Sequence, residues 1–247
     1  MARVVADGAT MAINRGRAWT VRIPLKLVIF DLENTLVWNE FLPELADLVG
    51  KTSEVMEITR QGIDGHIDWE EGFRRRARLL AGIRQSDVLR LARALRPVPG
   101  AVEFVRRLRE AGARIVLVTG GPREVAESAM ALFDTDIAFA NEFVYDSGVF
   151  TGDVVVRVSP RLKGEIVREL ARKWAVDRDD ILAFGDGRMD LPLLAEAGTR
   201  LGINTNGKLG GHVHLETTDY AEAERWLEAS GWLPRSTAFD PTVQGNR

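Results

Sequence analysis

Three short apolar runs in this chain each stop at a residue whose side-chain oxygen or bare backbone can handle a charged ligand. They are Leu27-Val28-Ile29-Phe30 before Asp31, Ile115-Val116-Leu117-Val118 before Thr119-Gly120-Gly121, and Ile181-Leu182-Ala183-Phe184 before Gly185-Asp186-Gly187. Runs that are apolar at every position, without alternation, are the pattern of strands buried on both faces. In such a sheet ligands sit beyond the carboxyl ends of the strands, so residues placed there by three runs can meet in one small volume. The expected fold is therefore α/β, a doubly wound parallel sheet with a site at that edge.

Composition removes several other classes. With 247 residues, 45% of them hydrophobic, the chain can bury a large core. A formal net charge of -3, from 33 basic and 36 acidic residues, gives no field that gathers nucleic acid or an anionic membrane, and neither is expected as a partner. There is no cysteine, which excludes disulfides and thiolate chemistry. Residues 1–20 lack the apolar stretch of a signal peptide, and no run is long enough to span a bilayer, so a soluble cytoplasmic protein is the expectation. His212 and His214 alternate as neighbours on one strand face would; a metal pair is conceivable there, a plain surface position simpler. Oligomeric state is left open.

Strand character recurs near 26–30, 114–118, 136–140, 180–184 and 199–203, with amphipathic segments between. The interval from Thr35 to Pro97 breaks this rhythm: it holds helical patterns and no convincing strand, which marks residues 42–96 as an inserted helical cap on a core of 22–41 and 97–232. Inside it, Asp68 is placed to cap a helix with Glu71 completing a capping box, and Ser86 to cap the next, before Pro97 and Pro99 end it. Val102, Val105 and Leu108 form a helical stripe ending at Gly112. Asp146-Ser147-Gly148 lies between two β-prone runs and reads as the turn of a hairpin flap over 142–158. The first 20 residues and the tail after Trp232 show no periodicity; 1–21 and 233–247 are expected to pack peripherally.

Asp31 at a strand end can serve as a nucleophile toward phosphorus. Glu33, on the same side of an extended chain, can divide labour with it as proton donor and acceptor. With Asp186 and Asp190 these carboxylates also suit a hard cation such as Mg²⁺. Thr119, Gly120 and Gly121 offer a hydroxyl and exposed N–H groups to phosphate oxygens, and Pro122 opens a helix whose positive end points the same way. Lys163, at the opening of another helix, adds a cation.

In this order and spacing, Asp31-Leu32-Glu33-Asn34-Thr35, Thr119-Gly120-Gly121, Lys163 and Gly185-Asp186-Gly187-Arg188-Met189-Asp190 resemble the four motifs of the haloacid dehalogenase superfamily of phosphatases. Glu40, nine positions after Asp31, and the cap segment running from Asp68 to Arg76 are similar to its phosphoserine phosphatase branch, as is the Thr151-Gly152-Asp153 flap. The resemblance covers about residues 26–230. It implies a Mg²⁺-dependent phosphomonoesterase acting on a small phosphorylated metabolite. Asp31 would form an aspartyl-phosphate, and Glu33 would serve as acid and then base. Thr119, Gly120, Gly121 and Lys163 would hold the phosphoryl group. Asp31, the Glu33 backbone carbonyl, Asp186 and Asp190 would form the metal site, and Glu40 and Arg76 would grip the ammonium and carboxylate of an amino-acid phosphate.

Two positions depart from that branch. Glu33 stands where most members carry Asp, which keeps a carboxyl group but lengthens its reach; a relative that also transfers phosphate to homoserine is similar here, so transfer to an alcohol acceptor is an alternative. Met189 stands where Asn is usual, and a thioether cannot replace an amide donor. A different metabolite or nucleotide as substrate, or a catalytically weak phosphometabolite-binding regulatory module, are the further alternatives.

Overall fold

The computed structural model describes residues 9–14, 17–22 and 26–234. Its main sheet has seven strands in the order β6-β5-β4-β3-β7-β8-β9. In chain order the strands and helices are β1 (Ala9–Asn14), β2 (Arg17–Arg22), β3 (Leu27–Phe30), α1 (Phe41–Leu48), α2 (Thr52–Ile63), α3 (Trp69–Leu79), α4 (Gln85–Arg93), α5 (Ala101–Glu110), β4 (Arg114–Pro122), α6 (Arg123–Phe133), β5 (Ile137–Asp146), β6 (Val149–Val155), α7 (Pro160–Trp174), β7 (Ile181–Gly185), α8 (Leu191–Ala195), β8 (Thr199–Ile203), β9 (Leu215–Thr217) and α9 (Tyr220–Ala229). All neighbours in the main sheet are parallel except β6, which pairs antiparallel with β5.

The reason for the doubly wound form lies in β3. Its four residues are fully buried, Val28 and Phe30 in a cluster with α5, α6 and α9, Leu27 and Ile29 in one with α7 and α8. A strand apolar on both faces needs a helical layer on each side. The chain leaves β3 for β4 on one side and later returns to β7 on the other, so a crevice opens beyond the carboxyl ends of β3 and β7. Beneath it Phe30 stacks on Phe184 at 4.4 Å, and Phe104 meets both edge-on.

Between Thr35 and Pro97 the chain forms α1 to α4 and no strand longer than an isolated bridge. Their apolar faces share a third cluster with the β5–β6 hairpin: Phe73, Ala77 and Leu80 from the helices, Phe143, Phe150 and Val154 from the hairpin. The hairpin turn places Ser147 and Gly148 at φ 49° and 77° between the paired Asp146 and Val149, the two positive values that a tight hairpin turn of matching twist requires. Backbone bonds Gly82 N to Phe150 O (2.8 Å) and Phe150 N to Ile83 O (2.8 Å) join hairpin and helices further.

Several local expectations are corrected. Within the N-terminal segment, for which the sequence offered no periodicity, β1 and β2 pair antiparallel from Ala9↔Arg22 to Asn14↔Arg17. Asp68 Oδ1 accepts from the amides of Glu70 and Glu71 as a cap should, but the Glu71 carboxylate binds Arg75 and no capping box forms. Helix α4 starts after Arg84, not Ser86, because Gln85 N is drawn to Gly148 O of the hairpin. In α5 the buried stripe is Ala101, Phe104, Val105 and Leu108, while Val102 is exposed. Helix α7 begins three residues before Lys163, where Ser159 caps it and Pro160 takes the first helical position. The tail beyond Pro234 lies outside the described residues. Among the described residues no helix is long and apolar enough to cross a membrane.

Candidate active site

Asp31 leaves β3 directly into the crevice, its amide donating to Phe184 O at 3.1 Å. The turn that follows is pinned from three directions. Asn34 adopts φ 57°, a left-handed conformation that Asn tolerates, and its carbonyl accepts from Asn204 Nδ2 at 2.7 Å. The carbonyl of Thr35 accepts from the buried Tyr220 hydroxyl at 2.8 Å, and Thr35 Oγ1 donates to Asp31 Oδ2 at 3.3 Å. The Asp31 carboxylate is thus held by its own loop.

Lys163 reaches the same point from α7. Its Nζ lies 2.6 Å from Asp31 Oδ1 and 2.6 Å from Asp190 Oδ1, with all three residues buried. The approach depends on Gly164, where a Cβ would sit 2.7 Å from Pro192 O, so α7 can lie against the turn carrying Asp190. A Cβ on Gly185 would likewise meet Asp190 Cβ at 2.5 Å. The second oxygen of Asp190 accepts from the amides of Asp186 (3.1 Å) and Gly187 (3.3 Å), so both its oxygens are committed.

Carboxylate oxygens of Asp31, Asp186 and Asp190 lie within 4.8 Å of one another. Burial, then the charges of Asp31 and Asp190, push Asp186 up to about 8. Asp31 is raised to about 6 by burial and then by Asp190, with Lys163 pulling the other way. Burial alone would lower the pKa of Lys163, but Asp190 and Asp31 outweigh it and hold the ammonium well above its usual range. So much negative charge on oxygen-only donors fits a hard divalent cation, which would relieve the repulsion that raises these carboxyls.

Glu33 occupies the opposite wall. Its Oε1 accepts from Phe41 N at 3.0 Å and lies 3.7 Å from where a Cβ on Gly121 would stand, so the carboxyl overhangs the Thr119-Gly120-Gly121 turn. Burial raises it to about 7, against the Phe41 amide. Thr119 is buried, and its Oγ1 accepts from Gly121 N at 3.0 Å, which leaves the hydroxyl proton to donate. Gly120 and Asp186 line the same cavity, of about 770 Å³. Glu40 and Arg76 line it from the helical side; Glu40 accepts from Asn34 Nδ2 at 3.3 Å, and Arg76 donates to Gly72 O and Thr59 Oγ1 but to no carboxylate. Burial lowers the pKa of Arg76, partly offset by Glu33. Of the arginine run only Arg76 turns inward; Arg74 bonds Val154 O, and Arg75 pairs with Glu71 on the surface.

Residues 28–195 match the family described as haloacid dehalogenase-like hydrolase. The chain belongs to the haloacid dehalogenase-like hydrolase family. It falls in the phosphoserine phosphatase-like branch. The chain is 32% identical over 177 residues to the phosphoserine phosphatase of Methanocaldococcus jannaschii, covering 71% of this chain and 84% of that protein. It is 31% identical over 219 residues to that of Idiomarina loihiensis, covering 88% and 97%. With the Archaeoglobus fulgidus phosphoserine phosphatase it shares 34% identity over 184 residues, 74% of this chain but about half, 53%, of that longer protein. Among solved structures it superposes on a phospho-aspartyl intermediate analogue of phosphoserine phosphatase with a TM-score of 0.76 at 28% identity, covering 82% and 99% of the two chains. For the phosphoserine phosphatase of T. onnurineus the figures are 0.70 and 29%, covering 83% and 95%.

The crevice of this family member thus gathers Asp31, Glu33, Thr119, Gly120, Gly121, Lys163, Asp186 and Asp190, with Glu40 and Arg76 across the cavity. The Glu33 side chain stands outside the three-carboxylate cluster, turned toward Phe41 and Gly121. His214 Nδ1 accepts from Arg200 N at 3.0 Å and its ring stacks on Trp226. Sequence reasoning missed the lining residues Met56, Ile63, Trp69, Arg188 and Lys208. For the first two a signal existed, since large apolar side chains sit off the buried stripe of α2, whose only buried residue is Val55. Tyr220, whose hydroxyl holds the Asp31 loop through the Thr35 carbonyl, carried none.

Proposed function

We propose that the protein is a Mg²⁺-dependent phosphomonoesterase acting through an aspartyl-phosphate on Asp31, with a small phosphate ester of amino-acid-like shape, phosphoserine the first candidate, as substrate. The observation that carries this reading is the pairing of two carboxyl groups in one cavity with different settings. Asp31 is paired with Lys163 and hydrogen-bonded by Thr35, whereas Glu33 overhangs the phosphate turn, accepts from the Phe41 amide and is raised by burial.

A phosphate seated on the Thr119-Gly120-Gly121 turn meets the Thr119 hydroxyl and the third N–H of Lys163, whose other two are committed to Asp31 and Asp190. An Asp31 carboxylate oxygen attacks phosphorus, the bond to the ester oxygen breaks, and Glu33 passes its proton to the departing alkoxide. Glu33, now ionised, takes a proton from water as that water attacks the aspartyl-phosphate; the phosphorus–oxygen bond to Asp31 breaks and inorganic phosphate leaves. Asp31, the Glu33 backbone carbonyl and Asp186 would hold the Mg²⁺, with Asp190 fixing Asp186 through its amide. When bound, that ion supplies positive charge against the phosphoryl oxygens. Arg76 meets a substrate carboxylate with its uncommitted N–H groups, and Glu40 meets an ammonium group.

Asp31→Asn tests the reading. Release of phosphate from an aryl phosphate with Mg²⁺ present should fall to background; turnover at the unsubstituted rate would exclude Asp31 as nucleophile.

A further inference from the structure

The cavity is much larger than a three-carbon amino-acid phosphate needs. Its 770 Å³ corresponds to roughly 25 water volumes, while phosphoserine has only about a dozen heavy atoms. The polar grip of Glu40 and Arg76 takes one part of the wall. Thr59 and Asp64 add polar groups on the helical side, but Leu42, Met56, Ile63, Trp69 and Phe73 make most of the remaining wall there apolar. Met56 is 45% exposed and Ile63 62%, both on α2 and both facing the cavity, with Leu42 beside them. Exposed large apolar residues gathered at a concave site mark a place that a ligand covers.

Trp69 fixes where that ligand begins. Its indole stacks nearly parallel on Phe73, ring centroids 5.2 Å apart and planes 12° from each other. The indole Cζ2 atom lies 3.3 Å from where a Cβ on Gly120 would stand, so the ring rests directly against the phosphate turn. An ester oxygen leaving from that turn starts beside an aromatic edge, in a cavity that Ile63 and Met56 also line. Met189, next to Asp190, also lines the cavity.

Building on the phosphomonoesterase reading above, we propose that the alcohol released here carries an apolar ring, which packs against Trp69, Ile63 and Met56 while the phosphate sits on the Thr119-Gly120-Gly121 turn. Among esters that lack the ammonium and carboxylate met by Glu40 and Arg76, the site thus selects those of ring-bearing alcohols over those of small ones.

The test compares ethyl phosphate with 2-phenylethyl phosphate, esters of two primary alcohols of similar acidity, so the chemical step is matched and the ring is the variable. With Mg²⁺ and the full chain, kcat/KM for the phenylethyl ester should exceed that for the ethyl ester at least tenfold. In Ile63→Ser and Met56→Ser the ratio of the two values should shrink at least threefold. Because a ratio is read within each variant, a general loss of activity cancels, and both positions are exposed enough for the fold to tolerate serine. A ratio below tenfold in the unsubstituted protein, or one unchanged in both variants, overturns the inference. Absence of turnover for both esters and for phosphoserine would instead overturn the phosphomonoesterase reading on which it rests.

Discussion

Replacing Lys163 by Met removes the cation from between two buried carboxylates and leaves the volume nearly filled. The side chains of Lys163, Asp31 and Asp190 are 7%, 8% and 2% exposed, so water cannot take over the role of Nζ. Removing one partner of a buried ion pair costs about 3–5 kcal/mol. Here one ammonium serves two acids, while Asp190 keeps the amides of Asp186 and Gly187 and Asp31 keeps the Thr35 hydroxyl. A loss within that range is expected, equivalent to about 6–20 °C in Tm for a chain of this size. The pH dependence gives the sharper check. Burial and Asp190 already raise Asp31 to about 6 despite Lys163, so without Lys163 its folded-state pKa lies higher still. An acid whose folded pKa exceeds its unfolded value binds more protons in the native state. Its contribution to stability therefore falls as pH rises between the two values. The deficit of Lys163→Met should be smaller at pH 5 than at pH 8. Urea unfolding in EDTA at both pH values measures it, and adding Asp190→Asn should recover part of the loss at pH 8. A deficit below about 1 kcal/mol at pH 8, or one equal at both pH values, would refute the reasoning.

For esters with a poorly departing alcohol, kcat/KM should decline above about pH 7 as Glu33 loses the proton it donates, and Glu33→Gln should remove that limb while lowering the rate by about 10²–10⁴; a steady-state pH profile reports both. Chelation should abolish phosphate release and Mg²⁺ restore it, and Asp186→Asn should raise the Mg²⁺ concentration for half-maximal rate by about tenfold or more. Tyr220→Phe strips the buried carbonyl of Thr35 of its donor and should cost about 1–3 kcal/mol in thermal or urea unfolding, with a fall in kcat as the Asp31 loop loosens.

The central sheet was readable because β3, β4 and β7 are buried on both faces, and continuous apolar runs can mean little else when they end in Asp or in Thr-Gly-Gly. Chemistry-bearing residues at those ends were readable for the same reason: once the strands are parallel, Asp31 and Asp186 must emerge at one edge. What escaped was set by contacts between distant segments. Arg84 rather than Ser86 precedes α4 because the hairpin, some 60 residues on, supplies Gly148 O. The outward turn of Val102 follows from where the sheet lies relative to α5, which a helical repeat alone does not fix. Lys163 was assigned to a helix start, although Ser159-Pro160 already signals that start; its reach to Asp31 depends on the missing Cβ of Gly164. The β1–β2 pairing lacks the strict alternation that would announce it.

Helix α2 contributes a single residue, Val55, to the buried interior, yet it supplies Met56, Thr59 and Ile63 to the cavity wall. Exchanging Met56 or Ile63 should therefore cost the fold almost nothing, whereas Phe73 or Phe150 sits in the cluster that binds helices to hairpin. Descendants of such a chain could drift toward new esters along one helix at negligible thermodynamic risk, with the phosphate-handling machinery left intact. In engineering terms, α2 is the place to diversify.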